Sequence, residues 1–406
     1  MASNPFTLAA LATTAVPGIS IVGAVDDGSD AERDVVALTT AEGETLRAFV
    51  PRTPGALSGW LSESRALQAL TAGARERLPF SVPSALGEAA IQRTSVVVTT
   101  RLGGVPARLD DISPRHPGFP AAVGNAIAAI HSLPTSIIAD AGLSHRSVSE
   151  IRDDLFTIFD RAAATGHVPK ELLQRWEEAA EDRELWQFKP VVVHGDMQPA
   201  ALHRDQDSVA GITNWHALAL GDPARDLYFL LGSEQFASVD AAFAAYTDAR
   251  GGADRQLRRR AMLHAELEIA KWLLHGVDSA DAEIVADARG MLAGLVDRVD
   301  GDESVAITAE RFETMDLQDV KELLQRSESQ GTRATGPVES GFEFEDAETQ
   351  WPQAAPAQRA SAPDSAPADA VETAVIAPLD ETRGSDGNHT NDDDRARDGE
   401  DETRRP

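Results

Sequence analysis

The stretch 191–230 holds the residues whose types and spacing can do chemistry. His194-Gly195-Asp196 follows an apolar run, Val191-Val192-Val193, and sets a carboxylate in a glycine turn. Such an aspartate can orient an attacking hydroxyl and accept its proton, as a catalytic loop does in kinase-type phosphoryl transfer. In that chemistry an Asn five residues later and an Asp after the next strand hold magnesium at the phosphates. Here the fifth position is Ala201, and the residue after the next strand-like segment is Asn214. Further on, Asp222-Pro223-Ala224-Arg225-Asp226 reads as a helix start, where Asp226 suits the dipole and can bond the loop.

Each of these residues also has an ordinary structural role open to it. Asp196 is either a base or a cap on the backbone N–H groups of its own turn. His194 orders the loop, and Trp215 packs. Alanine at 201 has no oxygen for a metal, and Asn214 keeps a carbonyl oxygen without the negative charge that a hard cation favours. Asp205 and Asp207 belong to a hairpin turn directed away from the site. His203 and His216 are nearer, and as nitrogen ligands they suit transition metals better than magnesium.

The elements that must position these groups follow from hydrophobic spacing. Residues 19 to about 102 alternate short apolar strands with turns: ISIVGAV, DVVALTT, LRAFVP and SVVVTTRL, with Gly43 suited to a tight turn. One helix, near Leu57 to Gln68, carries Glu63 and puts Trp60, Leu61, Leu67 and Leu70 at helical spacing. After Gly103-Gly104 the apolar spacing becomes helical, interrupted by a hairpin of ALH, RDQDS and VAGIT. The expected fold is α+β and bilobal, a small antiparallel sheet with a helix followed by a larger helical lobe. The expected divisions are 1–102, 103–300, a connector at 301–330 with an amphipathic helix over 308–327, and a disordered acidic tail at 331–406.

With the motifs in this order, the chain resembles the aminoglycoside and macrolide phosphotransferase family, which shares the protein kinase-like fold. The family pattern runs His-Gly-Asp-Leu-His-Pro-Gly-Asn, then Ile-Asp-Trp-Glu, then Gly-Asp-Pro-Ala-x-Asp-Leu. This chain has His194 to Ala201, then Thr213-Asn214-Trp215-His216, then Gly221 to Leu227. AAIHSLP at 128–134, VVVTTRLGG and RAFVPRTPGA extend the likeness over roughly residues 19–300. The resemblance implies an ATP site with a third-strand Lys or Arg paired to the helix glutamate, here Glu63. Aligned on Pro51, that strand position is Phe49, and no lysine precedes Lys170, so Arg47 and Arg52 are the candidate cations. It also implies a magnesium site that Ala201 and Asn214 leave weak or absent.

Composition narrows the remaining readings. The 406 residues contain no cysteine, which excludes disulfides and thiolate chemistry and is compatible with a reducing cytosol. A net charge of −29 argues against nucleic acid. No run approaches the roughly 18 to 20 apolar residues of a membrane span, and the first residues read poorly as a signal peptide, so a cytoplasmic protein is expected. The segment 331–406 has 18 Asp and Glu against 7 Arg and few large apolar groups. Three functions remain open: a catalytically impaired binder of a nucleotide, small molecule or partner; an active phosphotransferase on a small-molecule hydroxyl; or a scaffold that meets a protein partner through 308–327 and the acidic tail.

Overall fold

The computed structural model describes residues 4–252 and 254–301. Strands β1 (Ile21–Asp26), β2 (Arg33–Thr40), β3 (Thr45–Pro51), β4 (Ala85–Ile91) and β5 (Thr94–Thr100) form one antiparallel sheet in the order β1-β2-β3-β5-β4. Helix α1 (Pro5–Ala15) covers one face, packing Leu8 and Ala12 on Val36, Leu38, Ala48, Val96 and Val98. Helix α2 (Pro54–Ala69) covers the other, where Trp60 meets Phe49 edge-on at 5.2 Å. Both faces are therefore apolar, and β2 and β5 read as continuous hydrophobic runs rather than alternating ones. Thr53 caps α2 by accepting from the Ala56 N–H, ahead of Pro54.

The sheet region has three helices instead of the one expected, because α1 and the short α3 (Ala72–Arg75) join α2. The first residues show a continuous apolar stretch, and the Asn4 cap with Pro5 turns it into a helix. Strand β4 was also not expected: its glycine and alanines carry little strand signal, and β5 supplies its pairing. Leu61 is 48% exposed, so the buried stripe of α2 is Trp60 and Leu67, with Leu70 just beyond it.

Gly103-Gly104 leads into β6 (Val105–Pro106), which pairs with β8 (Leu202–Asp205); β8 pairs in turn with β9 (Ser208–Ile212). Gly104 has φ +76°, and a Cβ there would lie 2.6 Å from the Arg204 carbonyl oxygen, so only glycine fits this crossing. Two short strands, β7 (Val191–Val193) and β10 (Ala219–Gly221), pair beside the hairpin.

The helical part comprises α4 (Phe119–His131), α5 (Ser136–Asp140), α6 (Val148–Ala164), α7 (Lys170–Glu181), α8 (Phe236–Ala249), α9 (Leu257–Asp278) and α10 (Ala282–Gly301). Helix α4 shares one core with the hairpin and α8, while α6, α7, α9 and α10 surround a second around Phe159, Trp176, Leu267 and Leu292. Residues 223–232, expected as helix, form two 3-10 turns, Pro223–Asp226 and Tyr228–Gly232. Among the described residues no helix is long and apolar enough to cross a membrane. The helix expected over 308–327 and the tail 331–406 lie outside the described residues.

Candidate functional site

The His194-Gly195-Asp196 loop leaves β7 through Gly195, at φ +83°, where a Cβ would strike the Ala217 carbonyl oxygen at 2.2 Å. Asp226 holds the loop from behind. One of its oxygens accepts from the His194 N–H at 2.6 Å and from His131 Nε2 at 3.0 Å, and the other accepts from the Gly195 N–H at 2.8 Å. Burial alone would raise this carboxyl, but the hydrogen bond and charge of His131, the nearby His194 and the Gly195 amide outweigh it and hold the group below its ordinary value. His131 continues the chain through Nδ1 to the Tyr246 hydroxyl at 2.8 Å.

His194 is fully buried, and burial lowers its imidazole below the ordinary value against the opposing charge of Asp226. Its Nε2 donates to the Thr213 carbonyl at 2.8 Å, and the ring packs edge-on against Trp215. This ties the loop to the residue immediately before Asn214.

Asp196 is presented at the surface of that frame, with about a third of its side chain exposed. Its oxygens meet Gln198 Nε2 at 3.2 Å and His216 Nε2 at 3.6 Å. Both partners are side chains, not the backbone N–H groups of a cap.

Ala201 is buried, and its carbonyl accepts from the Thr213 N–H at 2.9 Å and the Thr213 hydroxyl at 3.3 Å. Asn214 adopts a left-handed conformation, φ 63° and ψ 47°, which asparagine tolerates better than most residues. The Ala201–Thr213 bonds hold positions 201 and 214 close together, and the side-chain donors there comprise one neutral amide. Among the described residues no group of three or more His, Asp or Glu could hold a metal ion. This donor set does not fit a magnesium ion, which takes carboxylate oxygens. His203 and His216 have separate surroundings: His216 stands beside Asp196, and His203 lies in the cleft described next.

A cleft of about 250 Å³ opens between the sheet and the hairpin, lined by Arg47, Glu63, Arg101, His203 and Asn214 among others. Glu63 is buried and accepts from the Trp215 N–H at 3.3 Å, which fixes α2 to the Asn214 turn. It makes no ion pair with Arg47, although its charge acts on that guanidinium. Arg47 Nε lies 3.8 Å from Asp27, which follows β1, and Arg101 reaches the same carboxylate at 3.0 Å. Arg52 does not enter the cleft. It lies past the end of β3 and is engaged by Asp34 at 3.5 Å and the Asp30 carbonyl at 3.3 Å. Phe49, on the same face of β3 as Arg47, is buried against Trp60.

Sequence reasoning missed Asp27, Arg101 and the His131–Tyr246 chain. The histidine does stand in the quoted AAIHSLP motif, but its partners lie 95 and 115 residues away. It also missed Arg260, fully buried, which grips both oxygens of Asp222 at 3.0 and 3.1 Å.

A model of the phosphotransferase enzyme family matches residues 24–303. Among solved structures, macrolide 2'-phosphotransferase MphH from Brachybacterium faecium is 22% identical, with a TM-score of 0.60 over 71% of this chain and 98% of its own. A macrolide 2'-phosphotransferase of type I is 23% identical, with a TM-score of 0.57 over 71% and 96%. The GDP complex of aminoglycoside 2'-phosphotransferase-IIIa is 15% identical, with a TM-score of 0.60 over 72% and 98%. Comparison with curated proteins gives no significant match. These likenesses establish the bilobal kinase-like fold, and the span of the family match establishes more: the chain belongs to the phosphotransferase enzyme family.

Proposed function

We propose that the chain is a catalytically impaired binder of a nucleotide, small molecule or partner, and that the ligand of the cleft between sheet and hairpin is a nucleotide. One observation carries this reading: the Asp226-clamped loop and the Ala201–Thr213 bonds hold positions 196, 201 and 214 in a fixed frame, while the side-chain oxygen donors at 201 and 214 amount to a single neutral amide. Phosphoryl transfer rests on positioning and charge neutralisation, so a site that keeps the first and loses the second binds better than it turns over. Support for a nucleotide comes from relatives solved as GDP complexes, one of them also with kanamycin. His203 lines the same cleft and offers a ligand a further polar group.

In this reading Arg47 is the cleft's cation, Glu63 positions the Asn214 turn and His194 orders the loop. A second reading, an active phosphotransferase on a small-molecule hydroxyl, draws on Asp196, whose side chain is about a third exposed on a loop clamped by Asp226. The scaffold reading depends on residues outside those described.

The test is thermal melting of the full chain with ATP, with and without magnesium, alongside an ATP-consumption assay with a macrolide or an aminoglycoside. The expected result is stabilisation by ATP that changes little with magnesium, and no substrate-dependent turnover. Strong magnesium-dependent stabilisation with turnover would replace this reading by the second. No stabilisation under either condition would remove the nucleotide.

A further inference from the structure

Arg47 and Arg101 come from different parts of the sheet region, one within β3 and one just past β5, yet both point to a single carboxylate. Arg101 donates to Asp27 twice, Nη2 to Oδ1 at 3.0 Å and Nε to Oδ2 at 3.4 Å. Arg47 Nε approaches Oδ2 at 3.8 Å. Two guanidinium groups around one planar oxyanion is the arrangement that recognises carboxylate and phosphate alike. Asp27 belongs to the β1–β2 connection, and all three side chains line the cleft that also holds His203 and Asn214. Burial lowers the Arg47 guanidinium from its ordinary value, and the charge of Asp27 is the largest influence opposing that shift. The hydrogen bonds that Arg101 donates to Asp27 raise its guanidinium above the ordinary value. The carboxylate thus balances both cations.

We infer that Arg47 and Arg101 form a two-guanidinium anion site whose resting occupant is the chain's own Asp27, and that nucleotide phosphates enter it by displacing this carboxylate, without a bridging metal ion. The inference rests on the nucleotide reading of the cleft and adds to it a second cation, Arg101, and an internal competitor. A ligand that must displace Asp27 binds with an affinity reduced by the fraction of molecules in which the site is open. Asp27→Asn keeps the shape and removes the charge, so the internal occupant is held more weakly and the site is open in a larger fraction of molecules.

Isothermal calorimetry in EDTA compares the full-length wild type with Asp27→Asn and with Asp27→Asn/Arg101→Ala, using ADP and inorganic pyrophosphate as probes. Asp27→Asn leaves two neighbouring guanidinium groups without their counter-charge, so a modest fall in melting temperature with a single cooperative transition is expected, and the retained transition serves as the folding check. The expected result is roughly tenfold tighter binding of both probes to Asp27→Asn, with the gain lost on adding Arg101→Ala. Equal ADP affinity in wild type and Asp27→Asn, or a gain that survives Arg101→Ala, overturns the inference and leaves the nucleotide reading standing. Pyrophosphate binding to Asp27→Asn without any ADP binding keeps the anion site and removes the nucleotide. Binding of neither probe to any of the proteins overturns both.

Discussion

Asn214 differs from an aspartate by one charge on a side chain of nearly the same shape. Its left-handed backbone and the Glu63 bond to the next N–H are set by the turn, not by the side-chain charge. Aspartate tolerates the same conformation, so Asn214→Asp should fold unchanged and return one carboxylate to the cleft. The expected outcome is a magnesium-dependent gain in ATP affinity of about tenfold, near the 1.4 kcal/mol of one charge-assisted contact. Calorimetry with and without magnesium reads this directly, and an affinity indifferent to the metal in the variant would show that position 214 is not what limits it. The reverse substitution at the loop, Asp196→Asn, should shift the melting temperature by little. Its carboxylate is partly exposed, with one side-chain hydrogen bond at 3.2 Å and one contact at 3.6 Å. A drop of more than a few degrees would mean that Asp196 holds the loop together. At this scale the sequence was informative about identity but not about partners. Ala201 and Asn214 could be read from spacing alone, whereas the pairing of Arg47 with Asp27 rather than Glu63 depends on how the β1–β2 connection folds over the cleft.

Around the loop, elements distant in the chain are joined through one carboxylate. Asp226, in the turn after β10, receives the two N–H groups that follow β7 and the imidazole of His131 from α4, and that imidazole meets Tyr246 of α8. Asp226→Asn leaves one acceptor oxygen for three donors and turns an NH₂ group toward one of them. Because the site is fully buried, the unmet donors should destabilise the protein by about 3 kcal/mol. Urea unfolding would show this as a lower midpoint at unchanged slope. A loss below about 0.5 kcal/mol would mean that the clamp is not a structural joint. The sequence placed Asp226 next to the loop because its motif follows a recognisable proline. It could not show the four-part joint, since His131 and Tyr246 are ordinary residues of amphipathic helices until α4 and α8 meet. The same reason explains the missed elements. Helix α1 depends on the Asn4 cap and β4 on pairing with β5, and neither stretch has a strong pattern of its own. The central strands and α2 were legible because their burial pattern is written in hydrophobic spacing.

At the scale of the whole molecule, two buried carboxylates sit below their ordinary values, which links stability to acid. For Asp222, burial would raise the group, but Arg260 beside it, with His264 and the Ala224 N–H, holds it at about 2 against 3.8. Asp226 is shifted in the same direction. A carboxyl whose folded pKa is depressed contributes stability that is fully present above the unfolded value, and this is lost as the pH falls through the folded one. For Asp222 the window is therefore about pH 4 down to about 2, and the contribution is on the order of 2 kcal/mol. An opposing trend overlaps it, because acid also relieves the self-repulsion of a chain with net charge −29. The raw profile mixes the two, so the informative quantity is the difference between wild type and Asp222→Asn, in which the global term nearly cancels. Arg260 keeps Asp254 at 2.6 Å in the variant, which leaves the buried guanidinium paired. Denaturant unfolding at pH 7, 4 and 3 should show the wild-type advantage nearly constant from 7 to about 4.5 and shrinking below it. Parallel curves down to pH 3 would mean that the Asp222–Arg260 pair contributes nothing that depends on its charge, and that the motif is retained for its turn alone.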